Sequence, residues 1–191
     1  SKRWEATKYE HGLVEMNGSS LGLLGIGGLG RAITQRAQGV GVLVYAVDPT
    51  PTDVPAGVRA IWDMDQLDEL CRLADWLVIT APLTPETRGL IDERRLQLMK
   101  QGSYLIVISR GGIVDEGALA NALRSGQLAG AGLDATEVAP LPQDSPLWEL
   151  DKLILSPHVS GVTPGLFEGR RQALRANVRR FLEGRSLAYT C

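Results

Sequence analysis

The chain has 191 residues, 44% of them hydrophobic, and a formal net charge of −2, enough apolar material for one substantial core and the start of a second. Mixed signs along the sequence leave no electrostatic footprint for a phosphate backbone or an anionic lipid surface, so nucleic-acid and membrane partners are not expected. Cys71 and Cys191 form no CxxC pair, the apolar runs are too short to span a bilayer and Ser1-Lys2-Arg3-Trp4 has no apolar targeting core, which together point to a reducing, cytoplasmic compartment.

Ser1 stands where an initiator Met would be expected, so a fragment boundary is anticipated, with residues 1–17 an arm or hinge from an upstream domain. From there β-rich runs alternate with helical patterns, the signature of a parallel sheet wrapped by helices. The expected order is a strand at Ser20–Leu24, a helix at Leu29–Gln38, strands at Leu43–Val47 and Val58–Ile61, and a helix at Met64–Leu73. A strand at Trp76–Thr80, a helix at Glu93–Met99 and a strand at Tyr104–Ile108 follow. Both of these strands are continuously apolar and are expected at the centre of the sheet. Asp115 should cap a helix over Glu116–Arg124 that Gly126 ends, before strands at Gly130–Leu133 and Leu153–Leu155. Thr163-Pro164 reads as the start of a last helix reaching about Glu183, with an apolar stripe of Leu174, Val178, Phe181 and Leu182.

Gly25-Ile26-Gly27-Gly28-Leu29-Gly30 follows a strand and opens a helix, the context in which a GxGxxG run signals a dinucleotide site. Gly25 suits the tight turn, Gly27 the approach of a pyrophosphate and Gly30 close helix–strand contact, while the helix tip offers amides and positive potential to the phosphates. Asp48 closes the second strand about twenty residues on, where a carboxylate holds the adenosine ribose. It favours NAD over NADP, because it would repel a 2′-phosphate and no Arg follows it directly. The fold class expected is therefore α/β, a Rossmann-type doubly wound parallel sheet with helices on both faces, over residues 18–165.

Further segments carry a family resemblance. Val107-Ile108-Ser109-Arg110-Gly111-Gly112-Ile113-Val114-Asp115-Glu116, Ala131-Gly132-Leu133-Asp134 and Ser156-Pro157-His158-Val159-Ser160-Gly161 resemble the signatures of D-isomer-specific 2-hydroxyacid dehydrogenases, as do Thr80-Ala81-Pro82-Leu83-Thr84 and Pro146-Leu147-Trp148. The resemblance runs from Gly18 to the C-terminus and implies hydride transfer between NAD(H) and a small 2-keto or 2-hydroxy acid such as glyoxylate, hydroxypyruvate or phosphoglycerate. It implies that Arg110 binds the carboxylate and ketone oxygen through its planar fork, and that His158 exchanges the hydroxyl proton. It further implies that Gly28 and Leu29 lie against the pyrophosphate, Ala81, Pro82 and Thr87 beside the adenosine, Ile108, Ser109 and Arg110 near the nicotinamide ribose, and Asp134 and Gly161 around the carboxamide. No metal site is assigned. Residues 166–191 are expected to return toward a substrate domain, and a homodimer formed through the cofactor domain is implied.

The pattern departs from the family in one telling place. Members usually carry a Glu directly before the Pro of the segment after Asp134, where it supports the histidine; in Asp134-Ala135-Thr136-Glu137-Val138-Ala139-Pro140 that position is Ala139. Loss of a neighbouring carboxylate makes a histidine a weaker proton holder near neutral pH. Glu137 lies two residues away, which along an extended segment usually points elsewhere. With family members also carrying roughly another hundred residues upstream, the expectation is a chain that binds NAD better than it turns over substrate. The competing expectation is an NAD(H)-binding module or sensor without turnover; a Rossmann-type methyltransferase would not call for the Arg110 and His158 segments.

Overall fold

The two continuously apolar segments pair side by side in the interior of the sheet, where both faces of each are covered by protein. The computed structural model describes residues 13–51 and 53–188. In it β1 (Ser20–Leu24), β2 (Leu43–Val47), β3 (Val58–Trp62), β4 (Trp76–Ile79), β5 (Ser103–Val107), β6 (Leu128–Leu133) and β7 (Leu153–Leu155) form a seven-stranded sheet in the order β3-β2-β1-β4-β5-β6-β7. Every pairing is parallel, so each connection must cross over the sheet and does so largely as helix. The helices are α1 (Gly28–Gln38), α2 (Leu67–Leu73), α3 (Glu93–Leu98), α4 (Glu116–Ser125) and α5 (Leu166–Leu182).

The core has two layers because the strands present apolar side chains to both faces. On one face Leu21, Leu23, Val44 and Ala46 pack with Ile33 and Ala37 of α1. On the other, Leu77, Ile79, Leu105 and Val107 pack with Leu70 of α2, Leu96 of α3, and Leu119 and Leu123 of α4. This is the doubly wound α/β arrangement: the chain winds outward from β1 to β3, returns, and winds outward again from β4 to β7.

Local chemistry sets the element ends. Asp115 accepts a hydrogen bond from the Ala118 N–H at 2.9 Å and caps α4, which stops at Gly126 in the left-handed region (φ 77°). Most boundaries fall within one residue of expectation, and three differ by more. Met64–Gln66 is a 3-10 turn leading into α2 rather than its first turn. β6 begins at Leu128, whose buried side chain belongs to the core and whose partner across the sheet is Ser103. The last helix is preceded by Gly165, not Thr163, and the Thr163 carbonyl accepts from the Leu166 N–H at 3.0 Å in a turn ahead of the helix.

The described residues fall into two compact units that divide between Pro157 and His158. The first holds the sheet and α1 to α4. The second holds α5 and the tail that folds back on it: the Asn177 side chain both donates to the Ala188 carbonyl at 2.9 Å and accepts from its N–H at 2.8 Å. No residue of α5 is buried, and the stripe of Leu174, Val178, Phe181 and Leu182 is exposed. Of the expected N-terminal arm, residues 1–12 lie outside the described residues.

Candidate functional site

The glycine loop is built by contacts that exclude side chains. At the end of β1, Gly25 has φ 96°, and a Cβ there would stand 2.9 Å from the backbone nitrogen of Ala81. A Cβ on Gly30 would stand 2.6 Å from the Gly25 carbonyl oxygen, so only glycine lets α1 dock this closely on the turn. The Thr80 hydroxyl donates to the Gly25 carbonyl at 2.6 Å and locks the turn to β4. Around Gly27 and Gly28, by contrast, a Cβ would meet nothing within 4 Å. α1 has neither a side-chain cap nor an acidic residue in its first turn, leaving the amides and positive end of the helix to an anion from outside the chain.

Asp48 joins this loop to β2. Its carboxylate accepts from the Ile26 N–H at 2.8 Å and from the Thr50 N–H at 2.9 Å, which orients both oxygens while leaving lone pairs for hydroxyl donors. Gly25, Gly27, Asp48, Ala81, Pro82 and Thr87 line one cavity of about 490 Å³ at the carboxyl ends of β1, β2 and β4, where the strand order reverses and open α/β sheets bind ligands. The Thr87 hydroxyl donates to the Pro82 carbonyl at 2.7 Å and thereby shapes that wall. Sequence reasoning missed Met64, Thr80, Thr84 and Glu86, which line the same cavity. Met64 carried a findable signal, since it follows the strand next to Asp48; Thr84 and Glu86 enter through the turn that presents Thr87. The Thr84 hydroxyl holds the Glu86 carboxyl below its ordinary range.

Farther along the sheet, Ile108, Ser109 and Arg110 leave the end of β5. Ser109 is buried with no hydrogen-bond partner for its hydroxyl. Arg110 is exposed and bends back to donate to the Ser109 carbonyl at 2.7 Å. Asp134, buried at the end of β6, accepts from the Ser156 hydroxyl at 2.6 Å, and its N–H donates to the Val107 carbonyl at 2.9 Å. It thus ties together the ends of three strands. A Cβ on Gly111 would collide with the Thr136 carbonyl, and the Glu137 N–H donates to the Glu116 carboxylate at 2.5 Å, so the loop carrying Arg110 is sewn to the segment carrying exposed Ala139. Burial raises the Glu116 carboxyl above its ordinary range.

His158 and Gly161 belong to the second unit. His158 has φ 57°, a left-handed backbone that non-glycine residues adopt uncommonly. Among the described residues no group of His, Cys, Asp or Glu is placed to hold a metal ion, and no helix is long and apolar enough to cross a membrane.

The architecture and the loop are those of a nicotinamide-dinucleotide domain, and one comparison decides which. Residues 1–160 match the family model described as D-isomer specific 2-hydroxyacid dehydrogenase, NAD binding domain. The chain belongs to that family. The chain is 38% identical over 171 residues to a glyoxylate reductase of Thermococcus onnurineus (strain NA1), covering 89% of this chain and 50% of the relative. It is 43% identical over 168 residues to an (S)-sulfolactate dehydrogenase of Chromohalobacter salexigens, covering 88% and 54%. In three dimensions it is similar to a D-isomer specific 2-hydroxyacid dehydrogenase from Xanthobacter autotrophicus Py2 in complex with NADPH and MES, with a TM-score of 0.83, 34% identity and coverage of 91% of this chain and 71% of that one. The chain spans about half the length of these curated relatives.

The residues present fit a nicotinamide dinucleotide. The uncapped helix tip beside two unobstructed glycines suits the diphosphate, the doubly anchored Asp48 suits ribose hydroxyls, and the orphaned Ser109 hydroxyl is a buried polar group without a protein partner.

Proposed function

We propose that the chain is the cofactor-binding half of an NAD(H)-dependent oxidoreductase acting on a small D-2-hydroxy or 2-keto acid. The observation that carries this reading is the cavity at the strand-order reversal, with the glycine loop on one side and Asp48 on the other. When bound, the dinucleotide supplies or takes the hydride. Asp48 binds the adenosine ribose, Gly27, Gly28 and Leu29 meet the diphosphate, and Ala81, Pro82 and Thr87 flank the adenosine. Ile108, Ser109, Asp134 and Gly161 belong to the nicotinamide end.

On this reading Arg110 grips the substrate carboxylate with its guanidinium and draws electron density toward the C2 oxygen. Its resting bond to the Ser109 carbonyl is a single contact on an exposed side chain, readily exchanged for an anion. His158 takes the hydroxyl proton in oxidation and returns it in reduction. Residues 18–165 act as the cofactor domain and residues 166–191 lead back to a substrate domain, in a cytoplasmic homodimer joined through the cofactor domain.

Ala139 in the position of the usual Glu leaves His158 without that carboxylate, and turnover by this chain is therefore weak. We assign Glu137 no replacement role; within the first unit its side chain lies beside Gly112. The second reading, an NAD(H)-binding module without turnover, is favoured by that same Ala139. Titrating NADH by its fluorescence while following its oxidation with glyoxylate and hydroxypyruvate separates the two. Binding with measurable oxidation supports the enzyme, binding alone supports the module, and no binding rejects both. In a protein completed with a substrate domain, Ala139→Glu should raise kcat near neutral pH; an unchanged kcat removes Ala139 from the argument.

A further inference from the structure

We infer that Asp53 is a second determinant of which dinucleotide the chain selects, acting by holding Arg31 so that its guanidinium is not offered to a 2′-phosphate. The inference rests on the cofactor reading of the glycine-loop cavity and adds to it a residue pair that the glycine motif does not contain.

Arg31 follows the last glycine of the loop and sits in the first turn of α1. Its two terminal nitrogens grip both carboxylate oxygens of Asp53, Nη2 to Oδ1 at 2.6 Å and Nη1 to Oδ2 at 3.1 Å, and Nη2 also reaches the Asp53 carbonyl at 3.4 Å. Asp53 lies on the loop that begins at Asp48, whose residues Pro49 and Thr50 wall the cavity. Arg31 feels both acids: its pKa is raised first by the hydrogen bond to Asp53 and also, to a smaller extent, by the charge of Asp48. A cation thus stands within electrostatic reach of Asp48, outside the cavity lining itself, with its forked face turned into a carboxylate.

A planar guanidinium is the side chain best suited to grip a phosphate with two bonds. NADP differs from NAD at this end by one phosphate on the ribose, and Asp48 already opposes that group by charge. An Arg nearby would offset the repulsion if its fork were available. Asp53 occupies the fork and cancels the charge, so the ribose end presents the net negative field of Asp48. The pair is partly exposed, with side-chain accessibilities of 33% for Arg31 and 63% for Asp53. Exposed pairs contribute little to folding, so Asp53 can be changed with the fold intact.

The test is a binding measurement and requires no turnover. NADH and NADPH are titrated by nicotinamide fluorescence into the chain, Asp53→Ala, Arg31→Ala and the double variant, each checked by circular dichroism. The chain should prefer NADH. Asp53→Ala should tighten NADPH by about fivefold while NADH changes by less than about twofold, and the gain should vanish in the double variant. An unchanged NADH-to-NADPH ratio in Asp53→Ala, or a gain that survives removal of Arg31, overturns the inference and makes the pair a tie between loop and helix only. Failure of the unaltered chain to bind either dinucleotide overturns the cofactor reading itself, a distinct result.

Discussion

Alanine at Gly27 and alanine at Gly30 should break the protein in two different ways, although the positions are three residues apart in one loop. At Gly30 the added methyl would stand 2.6 Å from the Gly25 carbonyl oxygen, well inside van der Waals contact, and a backbone oxygen cannot rotate aside. α1 must then lift from the turn, at an overpacking cost of about 1–3 kcal/mol, reduced by the roughly 1 kcal/mol that alanine gains over glycine inside a helix. A net loss of up to about 2 kcal/mol, at roughly 2–4 °C per kcal/mol for a unit of this size, lowers Tm by up to about 8 °C. At Gly27 the methyl enters open space from an extended backbone with φ −67°, so stability should change by no more than about 0.5 kcal/mol. The methyl occupies the approach to the helix tip, however. Pushing a diphosphate outward forfeits at least one charge-assisted hydrogen bond to an amide, about 1.5–3 kcal/mol, or at least tenfold in Kd. Urea unfolding and NADH titration on both variants measure the two quantities separately. Unaltered NADH affinity in Gly27→Ala, or a loss of stability there equal to that in Gly30→Ala, would refute the assignment of the two glycines.

Other expectations concern the scaffold. Asp68 accepts from Arg94 at 2.5 and 2.9 Å and from Arg95 at 3.0 Å, and these bonds, Arg94 foremost, hold its carboxyl at about 2 against an ordinary 3.8. A lowered folded-state pKa means that the stabilisation is complete above about pH 4 and lost as pH falls toward 2. Asp68→Asn should therefore be less stable than the parent at pH 7, by under about 1 kcal/mol because Arg94 is half exposed, and the gap should close by about pH 2 in acid-titrated urea melts; a gap that grows on acidification contradicts this account. Asp115→Ala, removing the cap of α4, should cost about 1 kcal/mol in the same melts. Leu119→Ala, at a fully buried site, should cost about 2–5 kcal/mol, whereas Ile154→Ala, 77% exposed on β7, should stay within about 0.5 kcal/mol.

What was legible in the sequence is what local chemistry decides. β1, β2 and β7 have the bounds their β-rich runs predict, and the cap at Asp115 and the stop at Gly126 follow from side-chain reach and from glycine's access to positive φ. The position of Asp48 beside the glycine loop was legible because strand length and the βαβ crossover bring β1 and β2 ends together. Errors arose where a long-range contact outweighed local preference. Leu128 joins β6 because Ser103 pairs with it across the sheet, and Thr163 sits in a turn ahead of the last helix, which starts only at Leu166. The Arg31–Asp53 pair spans 22 residues and depends on how a Pro-rich loop folds over α1, which no periodicity encodes. The same holds for the Glu116 contact to Glu137, 21 residues apart, and for the left-handed backbone of His158.

The neighbours in the middle of the sheet carry one more implication. Leu24 of β1, which lines the crevice, lies opposite Ile79 of β4, so the floor of the crevice is assembled from pieces 55 residues apart in the chain. No shorter segment ending before β4 owns the crevice. Nucleotide capture accordingly waits on the β1–β4 pairing, and a ligand that binds only the paired floor draws that pairing toward completion by mass action.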